Sequence, residues 1–159
     1  MPTLLRWNGC RFYYFSNEAN EMAHVHVDRD AVSAKLWLER GTIARNDGFP
    51  PLELARVCDR LAESREDVLK ASPFTKLGEG EHAPRPDYRL VEATVTGDRL
   101  SVQLSDGRRI SRPLVWFSRL AQADAARLAV LEISAAGLGV HWPLIDEDLS
   151  LEGLLRGRA

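Results

Sequence analysis

Cysteine is scarce: the 159 residues contain only Cys10 and Cys58, too few for a disulfide framework, and both are expected to be reduced core residues. No stretch approaches the roughly 20 apolar residues of a membrane-spanning helix. The opening Met1-Pro2-Thr3-Leu4-Leu5-Arg6 lacks the long apolar run of a secretory signal. The chain is therefore expected in the cytoplasm, with no membrane partner. Charge of one sign is missing too. The formal net charge is -2, and 11 basic against 12 acidic residues precede Gly80, with 10 against 11 after it. A protein holding nucleic acid chiefly through its phosphates would normally carry a basic excess on one module, so the balance argues against general nucleic-acid binding. Also absent are a phosphate-cradling glycine loop, a nucleophile elbow, internal repeats and low-complexity tracts.

What remains is the composition of an ordinary globule, 45% hydrophobic and 28% charged, punctuated at its midpoint. The polar run Gly78-Glu79-Gly80-Glu81-His82-Ala83-Pro84-Arg85-Pro86-Asp87 reads as a seam, because Gly and Pro interrupt regular structure. It divides the chain into modules 1–80 and 85–159. Halves of about 80 residues bury too little surface to be more than marginal alone. Each is expected to pack on the other or on a second copy of the chain.

Within the first module Arg11-Phe12-Tyr13-Tyr14-Phe15 is rich in aromatic strand formers, and the polar turn Ser16-Asn17-Glu18-Ala19-Asn20 follows it. Two runs then alternate with period two. Val25 and Val27 oppose His24, His26 and Asp28; Ala34, Leu36 and Leu38 oppose Lys35, Trp37 and Glu39. A short strand from Thr42 to Arg45 precedes the Asn46-Asp47-Gly48 turn. After Pro50-Pro51, the apolar residues Leu54, Val57, Cys58, Leu61, Val68 and Leu69 recur at helical spacing, which predicts one helix over Pro51 to Ala71.

In the second module Leu90 to Thr96, Leu100 to Ser105 and Arg109 to Pro113 predict a β-meander with turns at Gly97-Asp98 and Asp106-Gly107. A helix over Asp124 to Leu131, a strand over Gly139 to Trp142 and a terminal helix capped by Ser150 complete it. The expected class is α+β: two small modules, each an antiparallel sheet with a helix or short helices packed on it.

The first eighty residues resemble the family catalogued as domain of unknown function 4160. Met1-Pro2-Thr3, Arg11-Phe12, Ala23-His24-Val25-His26-Val27 and Ala34-Lys35-Leu36-Trp37-Leu38 carry the likeness, with the long helix after them. The second half resembles the family catalogued as domain of unknown function 2442. There the likeness runs from Leu100 and Ser105-Asp106-Gly107 through Val115-Trp116-Phe117-Ser118-Arg119-Leu120 to Val140-His141-Trp142-Pro143 and the stretch ending at Ser150. In bacteria these families look like neighbours encoded side by side. The resemblance implies a toxin–antitoxin-like pair, here fused in one polypeptide.

The pattern His24-x-His26-x-Asp28 presents two imidazoles and a carboxylate on one strand face. Such groups suit zinc or another divalent metal, with Glu18, Glu21 or Asp47 available as further ligands. They also suit acid–base catalysis near neutral pH. The triad is expected to be exposed, since Val25 and Val27 occupy the strand's other face, and a structural or partner-contact role outweighs the metal and catalytic ones. No cofactor is expected. His141 with Asp146 and Asp148 is a weaker metal set, because carboxylates ahead of a helix are common without any ion. Trp7, Trp37, Trp116 and Trp142 are dispersed, as packing residues are. If the chain binds a protein or a second copy of itself, the candidate contacts are His24, His26 and Trp37 in the first module. Arg108, Arg109, His141 and Trp142 are those in the second.

The sequence therefore favours a non-enzymatic interaction or regulatory protein, a toxin–antitoxin-like fusion in which the C-terminal module holds or masks the N-terminal one. The alternatives are a small metal- or histidine-dependent hydrolase or nuclease centred on His24, His26 and Asp28, and a phage- or defence-related protein-binding module.

Overall fold

Five consecutive strands form the first sheet: β1 (Thr3–Trp7), β2 (Cys10–Tyr13), β3 (His24–Arg29), β4 (Val32–Trp37) and β5 (Ile43–Asp47). Each pairs antiparallel with its neighbour in chain order. Two-residue loops set the register: Trp7 pairs with Cys10 around Asn8-Gly9, and Arg29 with Val32 around Asp30-Ala31. Asn8, Gly9 and Asp30 take the positive φ that such tight hairpins require. The computed structural model describes residues 2–80, 87–134 and 137–157. Residues 81–86 of the midpoint seam lie outside the described residues.

The long helix α1 covers Pro51–Ala71, the span expected from its apolar period. Asn46 prepares its entry by accepting from Phe49 N and donating to Phe49 O, both at 2.9 Å. Pro51 occupies a first-turn position, where no intrahelical N–H partner is lost. Leu54, Val57, Leu61 and Val68 turn inward onto Phe12, Val25, Val27, Ala34 and Leu36. Each such side chain, fully buried, contributes about 1.5–3 kcal/mol. The chain beyond the helix crosses the other side of the sheet, where Lys76 O accepts from Ala23 N at 2.8 Å and the Phe74 ring lies 4.8 Å from that of His24. Both faces of β3 are thereby covered.

The second unit contains the meander β6 (Leu90–Thr96), β7 (Arg99–Leu104) and β8 (Arg109–Pro113). A second three-stranded sheet follows, of β9 (Glu132–Ile133), β10 (Gly139–Trp142) and β11 (Glu147–Ser150), with β10 central. Three short helices complete it: α2 (Ser118–Ala121), α3 (Ala125–Leu128) and α4 (Leu151–Arg156). Ser150 caps α4 by accepting from Gly153 N at 3.0 Å, and Asp124 caps α3 by accepting from Arg127 N at 2.8 Å. The core gathers Leu100, Val102 and Leu104 from alternate positions of β7 with Val140, Trp142, Leu149, Leu151 and Leu154. The helix expected over Asp124 to Leu131 is shorter, and of the acidic residues ahead of the terminal helix Glu147 and Asp148 open strand β11 and are buried.

The chain divides into two compact units. Among the described residues one comprises Pro2–Tyr14 and 18–80, the other Phe15–Asn17 and 87–157. The three residues Phe15–Asn17 thus count with the C-terminal unit. Asn17 donates to Ser150 O at 3.0 Å and accepts from Ser150 N at 2.8 Å, and Ser16 Oγ donates to Glu147. Two glycines make room for them. A Cβ on Gly139 would lie 2.3 Å from the Phe15 ring, and one on Gly153 would lie 2.2 Å from the Asn17 amide. Gly139→Ala should therefore lower the stability of this unit by about 1–3 kcal/mol through overpacking, read as a drop in denaturation midpoint. An unchanged midpoint would mean that Phe15 is not seated there.

Candidate functional site

The polar turn after β2 is a single 3-10 turn, Ser16–Glu18, and it brings Glu18 to the imidazole face of β3. Strand alternation puts His24 and His26 side by side on that face, with ring centroids 5.0 Å apart and planes nearly perpendicular. Glu18 Oε2 lies 3.5 Å from His24 Nε2 and 3.5 Å from His26 Nε2. The expectation of an exposed triad fails at both imidazoles: relative exposure is 0% at His24 and 4% at His26, with Glu18 beside them at 5%, while Asp28 is half-buried. The reason is the returning chain after α1, which lays Phe74 over His24, together with Tyr13, whose ring stacks on His26 at 5.5 Å.

Asp28 does not join the cluster. Its carboxylate accepts from Tyr13 Oη at 3.0 Å and from Ser33 Oγ at 2.6 Å. Its place is taken by Glu18, one of the loop carboxylates considered as an added ligand. Of the other two, Glu21 lies 3.8 Å from His24 Nδ1 and 3.5 Å from Lys35 Nζ, and Asp47 pairs with Arg45 at 2.7 Å. The only signals pointing to Glu18 in the sequence are its polarity and its nearness to the strand. Neither identifies a buried residue.

Electrostatically the cluster is a carboxylate facing two imidazoles out of water. Burial is the largest influence on Glu18 and raises its pKa, but the facing His24 and His26 more than offset it and hold the carboxyl well below the usual range. Burial also dominates at His26 and pushes the imidazole down from 6.5 to about 3, although Glu18 pulls the other way. Neutral pH thus finds Glu18 ionised and His26 neutral. His24 Nδ1 lies 2.8 Å from Met22 O. A carbonyl only accepts, so Nδ1 donates, and in the neutral ring this leaves the Nε2 lone pair aimed at Glu18.

The remaining candidates fall elsewhere. Trp37 is buried, its ring 6.1 Å from that of His24. In the C-terminal unit Trp142 is wholly buried and donates to Leu128 O at 3.3 Å. His141 Nδ1 faces Asp148 Oδ1 across the β10–β11 pair at 3.1 Å. No metal-holding group of three forms around His141 among the described residues. Arg108 and Arg109 are exposed, Arg108 pairing with Asp106 at 2.7 Å over the Tyr88 ring. Farther along the chain, Arg112 donates to Leu154 O at 2.9 Å and Arg119 to Ile145 O at 3.0 Å. Cys10 and Cys58 are free, and burial raises both thiols, which remain protonated. No helix among the described residues is long and apolar enough to cross a membrane.

The two parts of the chain match two families described as being of unknown function. Residues 9–71 match the family described as Domain of unknown function (DUF4160), and residues 90–159 that described as Protein of unknown function (DUF2442). Each match covers less than half of the chain, one falling in its N-terminal part and the other in its C-terminal part. A solved structure, described as a protein of unknown function from Rhodospirillum rubrum ATCC 11170, is 32% identical over 45% of this chain and 88% of its own, with a TM-score of 0.42. No curated protein matches.

Two outcomes follow from the burial. Changing His24 and His26 together to Ala should lower folding stability by several kcal/mol, since it opens a cavity and strands the Glu18 carboxylate. Denaturant titration reads this, and a loss below about 1 kcal/mol would contradict the buried placement. Acid should also unfold the protein early. His26 takes up its proton near pH 6.5 when unfolded but only near pH 3 when folded, and Glu18 near 4.5 against a lower folded value. In both cases the unfolded chain binds the proton first, so stability falls as pH drops from about 6.5, at up to about 1.4 kcal/mol per pH unit for each proton. A flat stability profile between pH 7 and pH 4 would contradict a His26 held neutral.

Proposed function

We propose that this chain is a non-enzymatic regulatory protein of the toxin–antitoxin kind, in which the C-terminal module holds the N-terminal one within a single polypeptide. The observation that carries this reading is the seating of Phe15–Asn17. These residues lie inside the stretch matching the first family, 9–71, yet they count with the C-terminal unit. Asn17 satisfies both polar backbone groups of Ser150, the residue that ends β11 and caps α4. Buried backbone groups left without partners are destabilising. The C-terminal unit therefore depends on a side chain from the other family's sequence, as expected of a module adapted to hold the other. The burial of the imidazole cluster weighs against the hydrolase alternative, which needs its acid and base in reach of a substrate.

Replacing residues 81–86 with a protease site tests the holding. After cleavage the two fragments should co-elute on size exclusion, and Asn17→Ala, which removes two hydrogen bonds, should weaken their association by about 1–3 kcal/mol. Fragments that separate at once would refute it. Expression of residues 1–80 alone in bacteria should arrest growth, with relief by residues 81–159 supplied in trans. Normal growth under 1–80 alone would refute the toxin-like part.

A further inference from the structure

We propose that Glu18 Oε2, His24 Nε2 and His26 Nε2 form a binding site for one divalent transition-metal ion of the zinc class, a structural centre of the N-terminal unit. This goes beyond the interaction reading and does not depend on it. The first support is chemical: a carboxylate with two neutral imidazoles is an established zinc donor set. The three donor atoms all lie within 4.8 Å of one another, and all three residues are buried.

The second support is geometric. Both imidazole nitrogens stand 3.5 Å from the same carboxylate oxygen. That exceeds the roughly 2.7–2.9 Å of a charge-assisted hydrogen bond. It is close to the edge of a tetrahedron with zinc–ligand bonds of about 2.0–2.1 Å, which is about 3.3–3.4 Å. Neither Glu18 Oε2 nor His24 Nε2 makes a hydrogen bond, although both are buried. Buried polar atoms left without a partner are costly, and a cation between these two would satisfy both.

The third support lies outside the ligands. Met22 O holds His24 Nδ1 and so fixes the ring with Nε2 toward the cluster, the usual way that a neighbouring group orients a metal-ligating histidine. Tyr13 against His26 and Phe74 against His24 hold the rings from the sides. With the donors this deeply enclosed, the ion serves the fold and does not turn over substrate.

The test uses the full chain, stripped with chelator and titrated with Co(II) and then Zn(II). Co(II) should develop the intense visible absorption of a tetrahedral site, saturate at one equivalent and be displaced by Zn(II), and Zn(II) should raise the thermal midpoint. Glu18→Gln, nearly identical in shape, should weaken binding by well over tenfold. Asp28→Asn, whose position is engaged by Tyr13 and Ser33, should leave binding unchanged. X-ray absorption on the wild-type zinc form provides a reading independent of how well Glu18→Gln folds, and is expected to show two imidazoles with oxygen. Absence of one-to-one binding by the folded wild-type chain, a sulfur-containing or all-oxygen shell, or full affinity in folded Glu18→Gln would each overturn the site.

Discussion

The N-terminal unit is organised around the removal of one carboxylate from water. An ionised carboxyl in the interior is tolerated only with close compensation, and the groups that face Glu18 Oε2 are His24 and His26. That pairing requires β3 to turn its imidazoles away from α1, which it does because Val25 and Val27 alternate with them and belong to the core beneath the helix. A slip of one residue in the β3 register would send the histidines into the apolar core and the valines against the carboxylate. The cluster therefore fixes the register of the central strand more strictly than apolar burial alone would.

The same turn shows how polar burial selects a structure. Ser16, Asn17 and Glu18 are adjacent polar residues, and each has a defined partner: Glu147, the Ser150 backbone and the two imidazoles respectively. Within the C-terminal unit these partners reshape the acid–base balance. Burial raises the Glu147 carboxyl, and the hydrogen bonds from Ser16 and from Asp148 N only partly oppose it. Gly139 and Gly153 belong to this arrangement because any side chain at either position would occupy the space of Phe15 or Asn17.

Much of the fold was legible in local patterns. Helix α1, the meander of the second unit, β10 and the Ser150 cap all follow from apolar period, turn dipeptides and capping chemistry, and each appears where those signals put it. Local rules failed where burial is decided by distant chain. The pattern His24-x-His26-x-Asp28 correctly located the two imidazoles, but alternation shows only that the three residues share a face, not what covers that face. The covering segment, including Phe74, lies nearly fifty residues downstream, and no spacing rule connects it to β3. Asp28 has the residue type and spacing of a ligand, but Tyr13 and Ser33 donate to its carboxylate.

Glu147 and Asp148 illustrate the same limit from the opposite direction. Charged residues ahead of a helix ordinarily mark a solvated approach to its positive end, yet here they form β11 and lie buried. Asp148 stands across the ladder from His141 and Glu147 from Trp142, so each charge is set beside a side chain of the neighbouring strand. Sequence reports the presence of charge, whereas burial depends on whether a partner arrives from elsewhere. For Glu147 that partner is Ser16, and for Glu18 it is the pair of imidazoles on β3. The chemically informative residues of both units are thus those whose local signals point to solvent and whose long-range partners hold them inside, so a functional reading of this chain begins with its buried polar contacts.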